Sequence, residues 1–269
     1  MNYKTVLTIA GSDSGGGAGI QADIKSISAC GCYAMSAITA LTVQNTLGVE
    51  DFMPVPPNII EAQIKAVMTD IGADAVKIGM LSSSEIMLAV KNALKPYNLT
   101  NIVLDPVMVS TSGHKLMNDE AIETLKHELL DIARVITPNI PEAEILLGEK
   151  ITHQDQLPEF AMKLSNNRRV SVLLKAGHLD DEILTDVLYN AETDSILKLE
   201  SKRLYTKNTH GTGCTFSSAL ASFLAHGLDL ESAVEKAKDY IYNAIEAGAK
   251  YSIGHGHGPV HHFYQWWDN

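Results

Sequence analysis

The chain has 269 residues, 45% of them hydrophobic, and a formal net charge of -11. A chain of this length buries a core without disulfide or metal staples, and one α/β domain over residues 1–269 is favoured over two small ones. The acidic balance excludes a nucleic-acid coat and a site for anionic membrane, both of which need clustered basic residues, but leaves room for anionic small molecules held by local groups.

Lys4 to Ala10 reads as a β-rich apolar run ending at Gly11, followed by the loop GSDSGGGAG. Ile20 to Cys30 follows as a helix, with Ile20, Ile24 and Ile27 on one face. Tyr33 to Leu41 is predicted as a second strand. Asn58 is expected to cap a helix carrying Ile60, Ile64, Val67 and Met68. Ala75 to Ile78 is a short strand, and Ser83 or Ser84 caps a helix towards Leu94. Asn101 to Leu104 is a strand that runs into Asp105-Pro106, and Asn118 caps a helix with Ile122, Leu125 and Leu129. Val135 to Ile136 ends in Thr137-Pro138-Asn139, and a short helix starts at Pro141, where a missing N–H does no harm. Val170 to Lys175 is a strand, and Ile183 to Tyr189 with Ser195 to Leu199 form a hairpin-type pair. Helices from Cys214 to Ala225 and from Leu230 to about Ala249 follow. Strands alternating with helices predict a mostly parallel sheet, whose ligands bind beyond the carboxyl ends of the strands.

Cys30, Cys32 and Cys214 are an odd, sparse set and make no disulfide framework. Such thiols suit a reducing compartment. The opening MNYKTVLTIAGSD shows no charged leader before a long apolar stretch, and no apolar run is long enough to span a bilayer. A cytoplasmic protein with no membrane or nucleic-acid partner is the expectation.

The strongest chemical signal is Asn208-Thr209-His210-Gly211-Thr212-Gly213-Cys214-Thr215, which opens an apolar helix. Glycines at a helix start let backbone N–H groups converge on an anion, and the helix dipole favours negative charge there. A tight turn with Ser/Thr capping would use the same residues. Cys214 at this position can have a lowered pKa, or it can be a small buried hydrophobe. Asn139 and Glu142 can orient metal-bound waters or can form a capping box; spacing alone favours the box. The loop GSDSGGGAG is no convincing dinucleotide fingerprint, and the P-loop pattern is missing from the sequence. His255, His257, His261 and His262 lie in a Gly-rich tail and are assigned no metal.

The segments THGTGCT and TIAGSDSGGGAGIQADIK closely resemble the hydroxymethylpyrimidine and phosphomethylpyrimidine kinases of thiamine synthesis, in the ribokinase-like superfamily. ITALTVQNT, KIGML, VLDPVM, ITPNIPEAEIL, LLKAGH and GHGPVHHF extend the resemblance over nearly the whole chain. It implies a ribokinase-like α/β fold, a central mostly parallel sheet with helices on both faces. It implies ATP as co-substrate and Mg2+ held by Asn139 and Glu142, with Lys175 and Asp105 at the nucleotide phosphates and metal. It implies an anion hole of Gly211, Thr212 and Gly213, with Cys214 where sugar kinases carry the aspartate of GAGD. For the acceptor it implies Asp23, Gln44, Met80 and Val107, the Gln44 amide facing the ring nitrogen and amino group of an aminopyrimidine. A homodimer is also implied. Ser110 to Leu116 is a candidate loop for closing over the substrate. The rival readings are a pyridoxal kinase of the same branch and a non-catalytic pyrimidine sensor.

Overall fold

A strand covered on both faces needs apolar side chains at successive positions, and the parallel strands of this chain have them. In a computed structural model describing residues 3–108, 117–165, 169–177, 179 and 181–267, β1 (Thr5–Ala10), β2 (Tyr33–Ile38), β5 (Ala75–Ile78), β6 (Ile102–Leu104), β7 (Val135–Ile136) and β8 (Ser171–Leu174) pair in parallel. Between β2 and β5, β3 (Ala40–Asn45) and β4 (Gly48–Pro54) form a separate antiparallel ribbon. The hairpin β9 (Ile183–Asn190) and β10 (Ser195–Lys202) continues the main sheet in antiparallel fashion. The eight-stranded order is β10-β9-β8-β7-β6-β5-β1-β2. The proposed lid, Ser110 to Leu116, lies outside the described residues.

Alternation along each strand feeds two cores. Leu7, Ile9, Val76, Leu104, Ile136 and Val172 point to one face, against α2 (Pro57–Asp70), α3 (Ser84–Leu94), α4 (Asp119–Thr124), α5 (Ile140–Leu147) and α6 (Leu157–Leu164). Val6, Ala75, Val103, Val135 and Leu173 point to the other, against α1 (Gly19–Ala29), α7 (Thr212–Ala225) and α8 (Leu230–Gly248). This is the ribokinase-like layering that the sequence implied.

Two expectations are corrected. The predicted strand Tyr33 to Leu41 breaks at Thr39, because Ala40 onwards leaves the main sheet to pair with β4. Asn58 does not cap α2: Pro56 holds the cap position without a side-chain hydrogen bond, and Pro57 opens the helix. Ser83, not Ser84, caps α3 through a bond from the Ile86 N–H.

The strand order reverses between β1 and β5. At such a reversal the loops that follow neighbouring strands lead away to opposite faces and leave a crevice. The loops after β1, β5, β6, β7 and β8 open on this edge, and they carry Gly11, Met80, Asp105, Asn139 and Lys175.

Candidate active site

The crevice is a cavity of about 570 Å³. It is lined by Gln44, Met80 and Val107, by Gly211, Thr212, Gly213 and Cys214, and by Asp105, Lys175, Asn139 and Glu142. Eleven of the twelve side chains and turn residues singled out from the sequence therefore meet in one place.

Asp23 is the exception. It was expected beside the acceptor, but it is fully buried and does not line the cavity. It sits on the first turns of α1, which pack against α7, and both its oxygens accept hydrogen bonds from Lys77 Nζ at 2.9 and 3.0 Å. Thr8 and Ser218 donate to it as well. A carboxylate so enclosed is a foundation under the site, not a contact for a ligand.

Gly211 is the N-cap of α7 and has φ 78°, a left-handed conformation that glycine adopts without strain. A Cβ there would run into the Gly17 carbonyl. The two glycine-rich segments thus touch backbone to backbone, which brings the loop after β1 against the start of α7. The first turn of α7 presents N–H groups that a helix leaves without intrahelical partners, of which that of Thr212 donates to the Thr209 carbonyl at 3.3 Å. A Cβ on Gly213 would lie 3.4 Å from Asp105 Oδ2 and 3.6 Å from Lys175 Nζ, so the turn faces both charged groups closely.

Asp105 is held by three donors: Thr137 Oγ1 at 3.0 Å and Lys175 Nζ at 3.3 Å on Oδ1, and Ser217 Oγ at 3.3 Å on Oδ2. Burial would lower the Lys175 pKa, but the carboxylates of Asp105 and Glu142 more than reverse this, so the amine stays charged. Asn139 and Glu142 form the capping box: Asn139 Oδ1 accepts from the Glu142 N–H at 3.0 Å, and Glu142 Oε2 accepts from the Asn139 N–H at 2.8 Å. Burial, with Asp105 adding to it against the pull of Lys175, pushes the Glu142 carboxyl up from 4.5 to about 7.

Cys214 is partly buried in the first turn of α7. Of the two readings open from the sequence, a thiol lowered by the helix start or a small buried hydrophobe, burial decides: desolvation pushes the thiol up to about 11, with the Lys77 ammonium pulling the other way and Asp23 and Asp105 adding to the rise. Burial outweighs the helix dipole because the dipole contributes only partial charges.

Sequence reasoning gave no role to Asp13, Lys77 or His210, though all three lie in segments that carried the resemblance. Asp13 Oδ2 lies 2.8 Å from His210 Nε2, and that same nitrogen lies 3.3 Å from the Gln44 amide nitrogen. Asp13 also accepts from the N–H groups of Gly15, Gly17 and Ala18. Burial works to raise the Asp13 pKa, but the bonds from His210 and Ala18 leave it lowered. Lys238 and Asp186, paired at 2.6 Å between Nζ and Oδ2, also line the cavity, as do Leu204, Ile241 and Ile245.

The sequence matches the family described as phosphomethylpyrimidine kinase over residues 13–261. The chain belongs to the phosphomethylpyrimidine kinase family. It is 45% identical over 262 residues to the hydroxymethylpyrimidine/phosphomethylpyrimidine kinase of Rhizobium meliloti, covering 97% of each chain. Among solved structures it resembles phosphomethylpyrimidine kinase from Clostridium difficile, with a TM-score of 0.79 and 46% identity over 90% of this chain and 99% of that one. It also resembles an ADP complex of Bacillus subtilis pyridoxal kinase, with a TM-score of 0.88 and 36% identity over 97% and 98% of the two chains. The fold and the family are therefore those that the sequence motifs implied.

Proposed function

We propose that this chain, as one domain, transfers the γ-phosphoryl group of ATP to the hydroxymethyl oxygen of 4-amino-5-hydroxymethyl-2-methylpyrimidine, and then a second phosphoryl to the monophosphate formed. The observation that carries this is the cavity itself: the anion-binding start of α7 and the amide of Gln44 line one crevice, with Cys214 among its lining residues. Family membership and the ADP complex of the pyridoxal kinase neighbour support ATP as the donor.

Phosphoryl transfer asks a protein mainly for positioning and charge stabilisation. In this reading the N–H groups of Gly211, Thr212 and Gly213 surround the transferring group, and Lys175 supplies a fixed positive charge to the phosphates. The apolar wall of Leu204, Ile241 and Ile245 receives the nucleotide base. Met80 and Val107 cover the acceptor ring, and Gln44 faces its polar edge. Among the described residues no three His, Cys, Asp or Glu side chains gather as a metal cage. The donors present, Asp105, Asn139 and Glu142, instead suit Mg2+ held through waters and phosphates, which needs only one or two carboxylates. Mg2+ bound there would offset phosphate charge.

The two transfers differ in their acceptors. A hydroxyl must lose its proton, and Cys214 is the base in reach. With its pKa near 11 it is protonated at neutral pH, so the active form is a rare thiolate that is a strong base once formed. Lys77, fully buried under the site, is the positive charge that favours that thiolate. The acceptor phosphate of the second step has a second pKa of roughly 6 and is already largely ionised.

Exposed apolar side chains on β3 and β4, among them Leu41, Val43 and Met53, support a homodimer through this ribbon. Among the described residues no helix is long and apolar enough to cross a membrane, and we place the enzyme in the cytoplasm. The likeness to pyridoxal kinase makes pyridoxal the second substrate to test. Gln44 favours the aminopyrimidine, because an amide offers a donor and an acceptor side by side. The deciding experiment is a coupled assay of ADP release with hydroxymethylpyrimidine, its monophosphate and pyridoxal in parallel. The reading predicts turnover with both pyrimidines. Turnover with pyridoxal alone, or with none of the three, would overturn it.

A further inference from the structure

We infer that His210 and Asp13 are positioning residues that fix which way round Gln44 presents its amide, and so make the acceptor site selective for an amino group beside a ring nitrogen. The inference rests on the function proposed above. Its basis is the sharing of one imidazole nitrogen between a carboxylate and an amide.

Asp13 accepts hydrogen bonds from three backbone N–H groups, at 2.8 Å from Gly15, 3.0 Å from Gly17 and 2.8 Å from Ala18. A carboxyl in that position is an ionised acceptor. His210 Nε2, 2.8 Å from Oδ2, must therefore carry a proton and donate. The ring has no freedom to turn away: it is 8% exposed, and its Cδ2 fills the space where Gly17 lacks a Cβ. Gln44 faces this N–H at 3.3 Å. Two donors pointed at one another repel, whereas a half turn of the amide sets Oε1 against the imidazole N–H with no other change, because amide oxygen and nitrogen have nearly the same shape. The backbone of Gln44 is pinned as well. Its N–H donates to Ser14 Oγ at 2.9 Å, and the same hydroxyl donates to its carbonyl at 2.7 Å.

The amide thus has one allowed polarity. Its oxygen takes the longer branch of the one N–H that His210 shares with Asp13 and keeps a lone pair for a ligand N–H, and its NH2 group turns away to donate. A 4-aminopyrimidine matches this pattern with its amino donor and its ring-nitrogen acceptor. The 4-oxo analogue, with a carbonyl and a ring N–H, presents the reverse. A freely rotating glutamine would flip to suit either ring; one locked by His210 rejects the second. The Asp13 carboxylate acts at one remove, by keeping the proton on Nε2.

The test compares kcat/KM for 4-amino-5-hydroxymethyl-2-methylpyrimidine with that for its 4-oxo counterpart. His210→Leu removes the donor, His210→Gln restores one, and Gln44→Met removes the amide. We expect the amino-to-oxo ratio to fall at least tenfold in H210L and to stay within about threefold of wild type in H210Q. Adding H210L to Q44M should change the ratio no further, as expected for residues acting through one contact. A folded H210L that keeps the wild-type ratio overturns the inference. Nitrogen-15 NMR of the unmodified protein tests it independently of any variant: a proton on His210 Nε2 is required, and a bare Nε2 overturns it. Absence of any activity on the aminopyrimidine in wild type would instead count against the function on which the inference rests.

Discussion

Lys77 Nζ contacts both carboxylate oxygens of Asp23, at 2.9 and 3.0 Å, and both side chains are fully shielded from water. The pair ties β5 to α1, and Ser218 of α7 and Thr8 of β1 complete the carboxylate's bonds. Burial works to raise the Asp23 pKa against this charge, and Asp23 in turn raises that of Lys77, so each ion depends on the other.

Lys77→Met should therefore strip Asp23 of its partner and lower the unfolding free energy by about 3–5 kcal/mol, the usual cost of an orphaned buried charge. The double change to Lys77→Met with Asp23→Leu should recover more than half of that loss. Urea unfolding of the wild type and the two variants measures both. Equal destabilisation of the single and double variants would mean that packing, not charge, is what the pair supplies.

Glu142 gives the molecule a pH dependence. Its folded pKa, near 7, lies above its ordinary 4.5, so the folded protein holds this proton more tightly than the unfolded chain. The sign follows: as pH rises from about 4.5 through 7, the unfolded chain ionises freely while the folded one resists, and stability falls. Glu142→Gln keeps the capping bonds without the charge. Its melting temperature should gain on wild type between pH 5 and pH 8. Parallel melting curves across that range would contradict the shift.

Much of this was legible beforehand. The strand ends at Asp105, Asn139 and Lys175 could be read because buried parallel strands are short apolar runs that stop at polar residues. The glycines at 211 and 213 stand out because only backbone N–H groups without side-chain cover make an anion turn. What escaped was relational. Asp23 looks like a surface acid on a helix, and nothing local says that Lys77, some fifty residues on, lies against it. The run from Tyr33 to Leu41 has uniform β character, and its break at Thr39 is set by pairing to β4, which no local propensity records. The direction of the Cys214 pKa stayed open because the helix start is visible in the sequence and the burial around it is not.

Cys214→Ala should separate the two transfers. The first, onto a hydroxyl, should drop by about 10²–10⁴-fold, the ordinary worth of a positioned base. The second, onto an ionised phosphate, should drop less than tenfold. In wild type the first step should rise with pH across the neutral range, since the thiol titrates near 11. Single-turnover rates for each acceptor decide this. Equal losses would assign Cys214 to geometry alone.

Gly213→Ala is a mild change for a helix, since alanine is the better helix former. Its Cβ, however, would stand 3.4 Å from Asp105 Oδ2 and 3.6 Å from Lys175 Nζ, in the path between the turn and the phosphates. We expect kcat to fall by about 10²–10³-fold, as when one anion-hole donor is lost, with unchanged or higher melting temperature. Retained activity would remove Gly213 from the phosphoryl path.

The most direct measurement is a crystal structure with ADP, magnesium, a planar metal fluoride and the hydroxymethylpyrimidine. The fluoride should lie within about 3 Å of backbone nitrogens at the start of α7, with the pyrimidine amino group and ring nitrogen on the Gln44 amide. A fluoride bound away from Gly213, or a pyrimidine that leaves Gln44 untouched, would contradict the account.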